Sequence, residues 1–256
     1  MPDKADGSGE PDRSPSAILN RTIVASDLHR APAADAAAEL RRTVRWLALR
    51  RTRFAVNGVL RFRWRVRWHK MWEYARGLAL ADLRPGMRVL DFGGAATLPV
   101  LHLARIGCDV LSTDIDRPLA EHTDRVARER GWRLRSSTVD LTRSEPPADW
   151  GSFHRVLSFC VLEHLPTEAK HTALRRLAGL LDPEGILAVT FDFGRDAPVE
   201  GALRDPSEVA EMVAASGLRP LGNHEFLDTG ERFVLDRKHP DRRFTFGSLF
   251  LRKTTA

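Results

Sequence analysis

Three aspartates each close a short apolar run: Asp91 in RVLDF, Asp114 in DVLSTD and Asp140 just after RLRSSTV. Asp91 is followed by Phe92-Gly93-Gly94-Ala95-Ala96-Thr97, a run of small residues between an apolar segment and the helical pattern LPVLHLARI. Small residues at such a junction leave backbone N–H groups uncovered, so a ligand can approach the main chain. The spacing is not the G-x-G-x-x-G of dinucleotide sites, and no Walker lysine follows, so a pyrophosphate or nucleoside triphosphate is disfavoured. A carboxylate at Asp91, two residues before the first glycine, repels a pyrophosphate and suits a ligand whose near end is cationic. Further on, Glu163-His164 ends the run RVLSFCVLEH and Asp192 ends GILAVTFD. Imidazole ordinarily titrates near neutrality, which makes His164 a candidate general base, while Glu163 and Asp192 are candidates for holding or orienting a reacting group. Cys108 and Cys160 have no CxxC spacing, and the histidines have no ligand pattern, so no metal is expected.

The elements that must position these residues are legible from Arg88 onward. RVLDF, DVLSTD, RLRSSTV, RVLSFCV and GILAVTF read as buried strands, separated by helical stretches such as RPLAEHTDRVARERG and TEAKHTALRRLAGLL. This alternation specifies βαβ units and a mostly parallel sheet with helices on both faces. A helix from Pro206 to Ser216 and two last strands near RPLGNHEF and RRFTFGSLFLRK bring the count to seven. In such sheets ligands sit beyond the carboxyl ends of the strands, where Asp91, Asp114, Asp140, Glu163 and Asp192 all fall.

From about Met87 to Phe193 the chain resembles the class I S-adenosylmethionine-dependent methyltransferases, a seven-stranded Rossmann-like family. RVLDFGGAATLP matches their acid-x-Gly-x-Gly-x-Gly motif at Asp91 and Gly93 and departs from it at Ala95 and Thr97. The resemblance implies S-adenosylmethionine as cofactor over Gly93, Gly94, Ala95 and Thr97. It places Asp114 on the ribose hydroxyls with Ile115 beside it, and Asp140 near the adenine with Leu141 following. Ser158 to His164 would line the space between cofactor and acceptor, and RRFTFGSLFLRK resembles the antiparallel seventh strand of the family. Asp116, before Arg117-Pro118, is the better helix cap.

Residues 1–32 are rich in Pro, Ser, Gly and Asp and read as a mobile tail. Residues 33–84 form a basic, Trp-rich, helical N-terminal extension, and 85–256 form the cofactor domain. Net charge is +6, yet residues 41–76 alone carry twelve Arg or Lys against one acid, Glu73, so the excess is local. A helix is expected from about Trp68 to Ala81; upstream, alternating aromatic and Arg residues fit either strand or helix. Trp72 and Tyr74 on that helix are candidates to cover the acceptor. Asn57-Gly58 marks a turn.

No apolar run approaches the roughly 20 residues a membrane span requires. The N-terminus has no cationic start leading into an apolar stretch, so no secretory leader is read there and the chain is expected to be cytoplasmic. The function expected is methyl transfer to O, N or C of a small-molecule acceptor, with an aromatic or lipid-like one suiting the Trp-rich wall. Two other readings use residues 41–76: a nucleic-acid methyltransferase, or a non-enzymatic module binding a partner or membrane surface. The first lacks the Asn/Asp-Pro-Pro-aromatic motif of enzymes acting on base amino groups, since the segment reads SFCVLEHL.

Overall fold

The computed structural model describes residues 19–236 and 238–254. In chain order the elements are β1 (Arg21–Thr22), α1 (Ala33–Leu49), β2 (Phe54–Val56), β3 (Val59–Arg61), α2 (Trp68–Leu80) and β4 (Arg88–Phe92). They continue with α3 (Leu98–Arg105), β5 (Asp109–Thr113), α4 (Arg117–Arg130), β6 (Leu134–Ser137), β7 (Phe153–Phe159) and α5 (Thr167–Gly179). The last are β8 (Leu181–Phe193), α6 (Pro206–Ser216), β9 (Arg219–Pro220) and β10 (Thr245–Arg252).

The main sheet runs β1-β10-β8-β7-β4-β5-β6, with β9 on the end of β10. The pairs β4–β5, β5–β6, β4–β7 and β7–β8 are parallel; β10 is antiparallel to β8, β9 and β1. Strand order reverses at β4, whose neighbours are β5 and β7, so the crevice opens above the end of β4. Side-chain alternation loads both faces. Val89, Leu157, Ala188 and Phe250 join the core under α1, α2 and α3, while Leu90, Val156, Leu187 and Leu249 join the core under α5 and α6.

Two expectations about the N-terminal part need correction. Residues 1–18 of the expected tail lie outside the described residues, but 19–32 are built into the fold and add an eighth strand to the expected seven. Polar bonds, invisible in a Pro/Ser-rich composition, hold this segment. Asn20 donates to the carbonyls of Leu221 and Asn223, at 2.9 and 2.8 Å, and accepts from the Phe250 amide at 2.8 Å. Ile23 is fully buried. The extension 33–84 is also not wholly helical, because β2 and β3 pair as a hairpin between α1 and α2. Asn57 (φ +51°) and Gly58 (φ +70°) turn it, the positive-φ pair that a two-residue hairpin demands. Helix α2 covers the range expected for it. Among the described residues no helix is long and apolar enough to cross a membrane.

Candidate active site

The turn after β4 is shaped by what it packs on. Gly93 (φ +79°) lies against Val161: a Cβ there would sit 2.5 Å from Val161 Cγ1, so only glycine fits. A Cβ on Gly94 would strike the Asp91 carboxylate at 2.6 Å, so the turn curls back over that acid. Asp91 is buried and accepts from Ser112 Oγ at 2.8 Å; burial pushes its carboxyl up to about 7. Asp114, just past β5, accepts from the Ala95 amide at 3.2 Å and from the Asp116 amide at 2.9 Å, and burial raises it too.

The two alanines at and beside family glycine positions have a local cause. Ala95 and Ala96 are fully buried in a cluster with Ala55 and Leu119, and the Ala55 amide donates to the Ala96 carbonyl at 2.7 Å. The hairpin thus covers the methyl groups. Thr97 is the N-cap of α3, with its hydroxyl donating to the Gly94 carbonyl at 2.6 Å rather than capping the helix. Asp116 caps α4 through the Leu119 amide at 3.0 Å, as its position before Arg117-Pro118 led us to expect.

The remaining residues expected around a cofactor divide in two. Ile115 is 76% exposed, a large apolar side chain standing in the open beside Asp114. Ser158 Oγ is buried and, among the described residues, without a hydrogen-bond partner. Asp140, by contrast, spends one carboxylate oxygen on the Thr142 hydroxyl and amide, at 2.6 and 2.9 Å, which hold it below the usual range. Leu141 is fully buried in the core under α5, so its side chain packs there and lines no ligand surface.

These residues fit S-adenosylmethionine. Among the described residues no salt bridge involves Asp91 or Asp114, and the neighbouring charges that act on them are carboxylates. Such a pair needs a ligand bringing positive charge and hydroxyl donors, and Ile115 offers an apolar surface next to it. A pyrophosphate would meet repulsion on both sides.

A second group of polar residues gathers between the ends of β7 and β8 and helix α2. Glu163 sits in a short 3-10 turn, Leu162–His164, and is 1% exposed. Its Oε1 accepts from the Asp192 amide at 3.4 Å, while Oε2 is buried and, among the described residues, has no hydrogen-bond partner. Cys160 Sγ lies 4.0 Å from Asp192 Oδ1. From α2, Lys70 Nζ bonds Glu73 Oε2 at 2.8 Å, and Glu73 Oε1 accepts from Thr190 Oγ1 at 3.1 Å. Burial pushes the carboxyls of Glu163 and Asp192 up, and the charge of Asp192 raises Glu163 further; the Cys160 thiol is raised by burial and then by Glu73.

Of the residues expected to act on an acceptor, Glu163 and Asp192 are brought together, while the His164 side chain turns to the exposed side. Burial, then Lys70, lowers the His164 imidazole. Trp72 requires correction: it is 1% exposed, and its Nε1 donates to Asp27 Oδ2 at 2.7 Å, so the indole locks α2 to the N-terminal segment. Tyr74 is buried beside Phe159, with ring centroids 6.4 Å apart, and feels the charges of Lys70, Glu73, Cys160 and Asp91. It therefore stands between the turn and the second group. Lys70 and Glu73 were not expected, whereas Cys160 falls inside the Ser158–His164 stretch expected to line this space. The signal was present in Lys70-Met71-Trp72-Glu73, opposite charges three apart on a Trp-rich helix, which put an ion pair on one face.

Comparison with known proteins agrees with this geometry. Residues 89–185 match the family model described as a methyltransferase domain. A 67-residue stretch is 43% identical to ribosomal RNA small subunit methyltransferase B of Thermus thermophilus, and this match spans 26% of the chain but 17% of that relative's length. Among solved structures, the [4+2]-cyclase SpnF superposes with a TM-score of 0.57 at 18% identity, covering 85% of this chain and 94% of that one. A TehB-like SAM-dependent methyltransferase from Corynebacterium glutamicum does so with 0.53 at 16% identity, covering 85% and 98%. At these identities the structural likeness speaks for fold. Residues 89–185 therefore match a methyltransferase-domain family, and the chain is built on the fold of the class I S-adenosylmethionine-dependent methyltransferases.

Proposed function

We propose that the chain transfers a methyl group to a nucleophilic oxygen, nitrogen or carbon of a small-molecule acceptor. The observation that carries this reading is a pair of unlike buried polar groups at the carboxyl ends of the central strands. On β4 and just past β5 stand Asp91 and Asp114, without a salt bridge among the described residues; under α2 stand Lys70, Glu73, Glu163 and Asp192, with Tyr74 between. When bound, S-adenosylmethionine supplies a methyl group on a sulfonium that is already activated. The chain's own work is then positioning, which can supply most of the rate for such a transfer. Asp114 would hold the ribose hydroxyls, and Asp91 would face the cationic end through the turn. Glu163 and Asp192, kept short of full ionisation by burial, would accept hydrogen bonds from the acceptor. The acceptor-side groups are 0–8% exposed at Glu73, Glu163 and Asp192, which favours a small molecule over a polymer.

A nucleic-acid acceptor is the second reading. It draws on the run from Arg61 to Trp68, where Phe62 and Trp64 are 57% and 62% exposed between arginines, and on the short match to a ribosomal RNA methyltransferase. The same run would suit peripheral contact with an anionic membrane surface.

Calorimetric titration with S-adenosylmethionine and S-adenosylhomocysteine, wild type beside Asp114→Ala, tests the cofactor wall. A tenfold or greater loss in the variant is expected, the effect of removing hydrogen bonds to a charged acceptor. Release of S-adenosylhomocysteine is then followed with small phenols, amines and carboxylic acids, and with structured RNA. Turnover with small acceptors and none with RNA is expected. Wild type binding neither cofactor form would sink the reading, and RNA-only turnover would replace it with the second.

A further inference from the structure

We propose that Cys160, Glu163 and Asp192 form a binding site for a divalent transition-metal ion, of the zinc class. Cys160 Sγ and one carboxylate oxygen from each acid all lie within 4.8 Å of one another. The three come from the two strand ends that frame the crevice: Cys160 just after β7, Glu163 three residues on, and Asp192 near the end of β8. Zinc binds thiolate at about 2.3 Å and carboxylate at about 2.0–2.2 Å, which sets its ligand atoms roughly 3.5 Å apart. The group needs to contract by about an ångström to reach that spacing.

The acids alone would not make the case; the state of Glu163 does. Its Oε2 is buried and, among the described residues, has no hydrogen-bond partner; the residue is 1% exposed and belongs to the same cluster as the thiol and the second acid. A buried carboxylate oxygen normally finds a donor, and leaving one bare is costly. A cation at this point would satisfy it directly.

The surrounding charge also asks for a cation. Lys70 and Glu73 face the cluster from α2 and already neutralise each other at 2.8 Å, and Tyr74 adds a neutral hydroxyl. Lys170 on α5 also feels the charge of Glu163, but its Nζ donates to the Gly201 carbonyl at 2.9 Å, so among the described residues no salt bridge reaches Glu163 or Asp192. Binding would displace the thiol proton and any carboxyl proton to solvent, leaving thiolate and carboxylates on the metal. A sulfur and two oxygens select zinc or cobalt(II) over magnesium or calcium, which prefer all-oxygen sets. With three protein ligands, a fourth position would be left for water or an acceptor heteroatom.

The site stands independently of the activity proposed above, because its test uses neither cofactor nor acceptor. The full chain, stripped with chelator, is titrated with cobalt(II) and then with zinc as competitor. One equivalent of cobalt should give a thiolate-to-metal charge-transfer absorption, lost on adding zinc and not on adding magnesium. Cys160→Ser should abolish that absorption. Glu163→Gln and Asp192→Asn should each weaken binding tenfold or more, with circular dichroism and melting curves confirming that the variants are folded. Absence of the absorption in wild type, or variants that bind cobalt as tightly as wild type, would overturn the proposal and leave the cluster held by protons. Should a variant not fold, alkylation of Cys160 in wild type, slowed by zinc, gives a second readout. Unslowed alkylation counts against the site.

Discussion

Helix α2 carries two buried groups of charges a few residues apart, and they are completed to different degrees. Toward the N-terminal segment, Asp27 takes Arg21 Nη1 and Nη2 at 3.0 and 2.6 Å, Trp72 Nε1 at 2.7 Å and the Val24 amide at 3.3 Å. Beside it, Arg76 donates to Ser248 Oγ at 2.9 Å and to the Leu19 carbonyl at 2.7 Å. Burial works to raise Asp27, but its bonds with Arg21 and Trp72 hold it below its ordinary value. Toward the crevice, the same helix offers Lys70 and Glu73 to a group in which Glu163 keeps an empty oxygen and two carboxyls are pushed up. A closed network fixes the frame; a network left short of donors is poised to take something in.

The comparison can be broken at its strong end first. Asp27→Ala would strand the Arg21 guanidinium and the Trp72 N–H, and should cost about 3–5 kcal/mol in urea unfolding. A loss under 1 kcal/mol would mean that this network holds nothing. Next comes a buried group that is satisfied while neutral. His102 on α3 bonds Thr43 Oγ1 of α1 at 2.8 Å, and burial, then Arg105, lowers its imidazole to about 4. Its folded value lies below the unfolded one, so its contribution is intact above about pH 6.5 and is lost as pH falls toward about 4, on the order of 3 kcal/mol in all. The stability gap between wild type and His102→Gln should therefore shrink across that window; parallel curves would show that His102 does not stay neutral.

Smaller effects sharpen the contrast. Gly58→Ala at φ +70°, with open space around it, should cost about 1 kcal/mol from backbone strain alone, measured by thermal melting. Glu163→Gln should change stability least, by less than about 1 kcal/mol, since the replaced acid is one that burial keeps from ionising. The same variant should lower methyl transfer tenfold or more. A stability loss matching Asp27→Ala would erase the distinction between the two networks.

How far the sequence reaches follows the same divide. The βαβ alternation and the placement of Asp91 and Asp114 at or just past strand ends were legible because each depends on local period and on residues near one another in the chain. Asp116 as a cap was legible for the same reason. What escaped depends on distant partners. Trp72 reads as a pocket wall until Asp27, 45 residues away, claims its N–H. Residues 19–32 read as tail until Asn20 meets Leu221 and Asn223. Lys70 becomes interesting only when β7 and β8 end beneath it. The alanines in the turn look like lost glycines until the hairpin fills the space over them.

That hairpin has a further consequence. Its Ala55 amide is fastened to the Ala96 carbonyl, in the same turn whose Ala95 amide reaches Asp114. The far side of the hairpin leads directly into the arginine and tryptophan run that faces solvent. A ligand that shifted the turn would therefore act on the hairpin through that hydrogen bond and the alanine packing, and a partner that shifted the hairpin would act on the turn. Thermodynamic reciprocity then fixes the exchange rate: by whatever factor one occupant changes the other's affinity, it is repaid in kind.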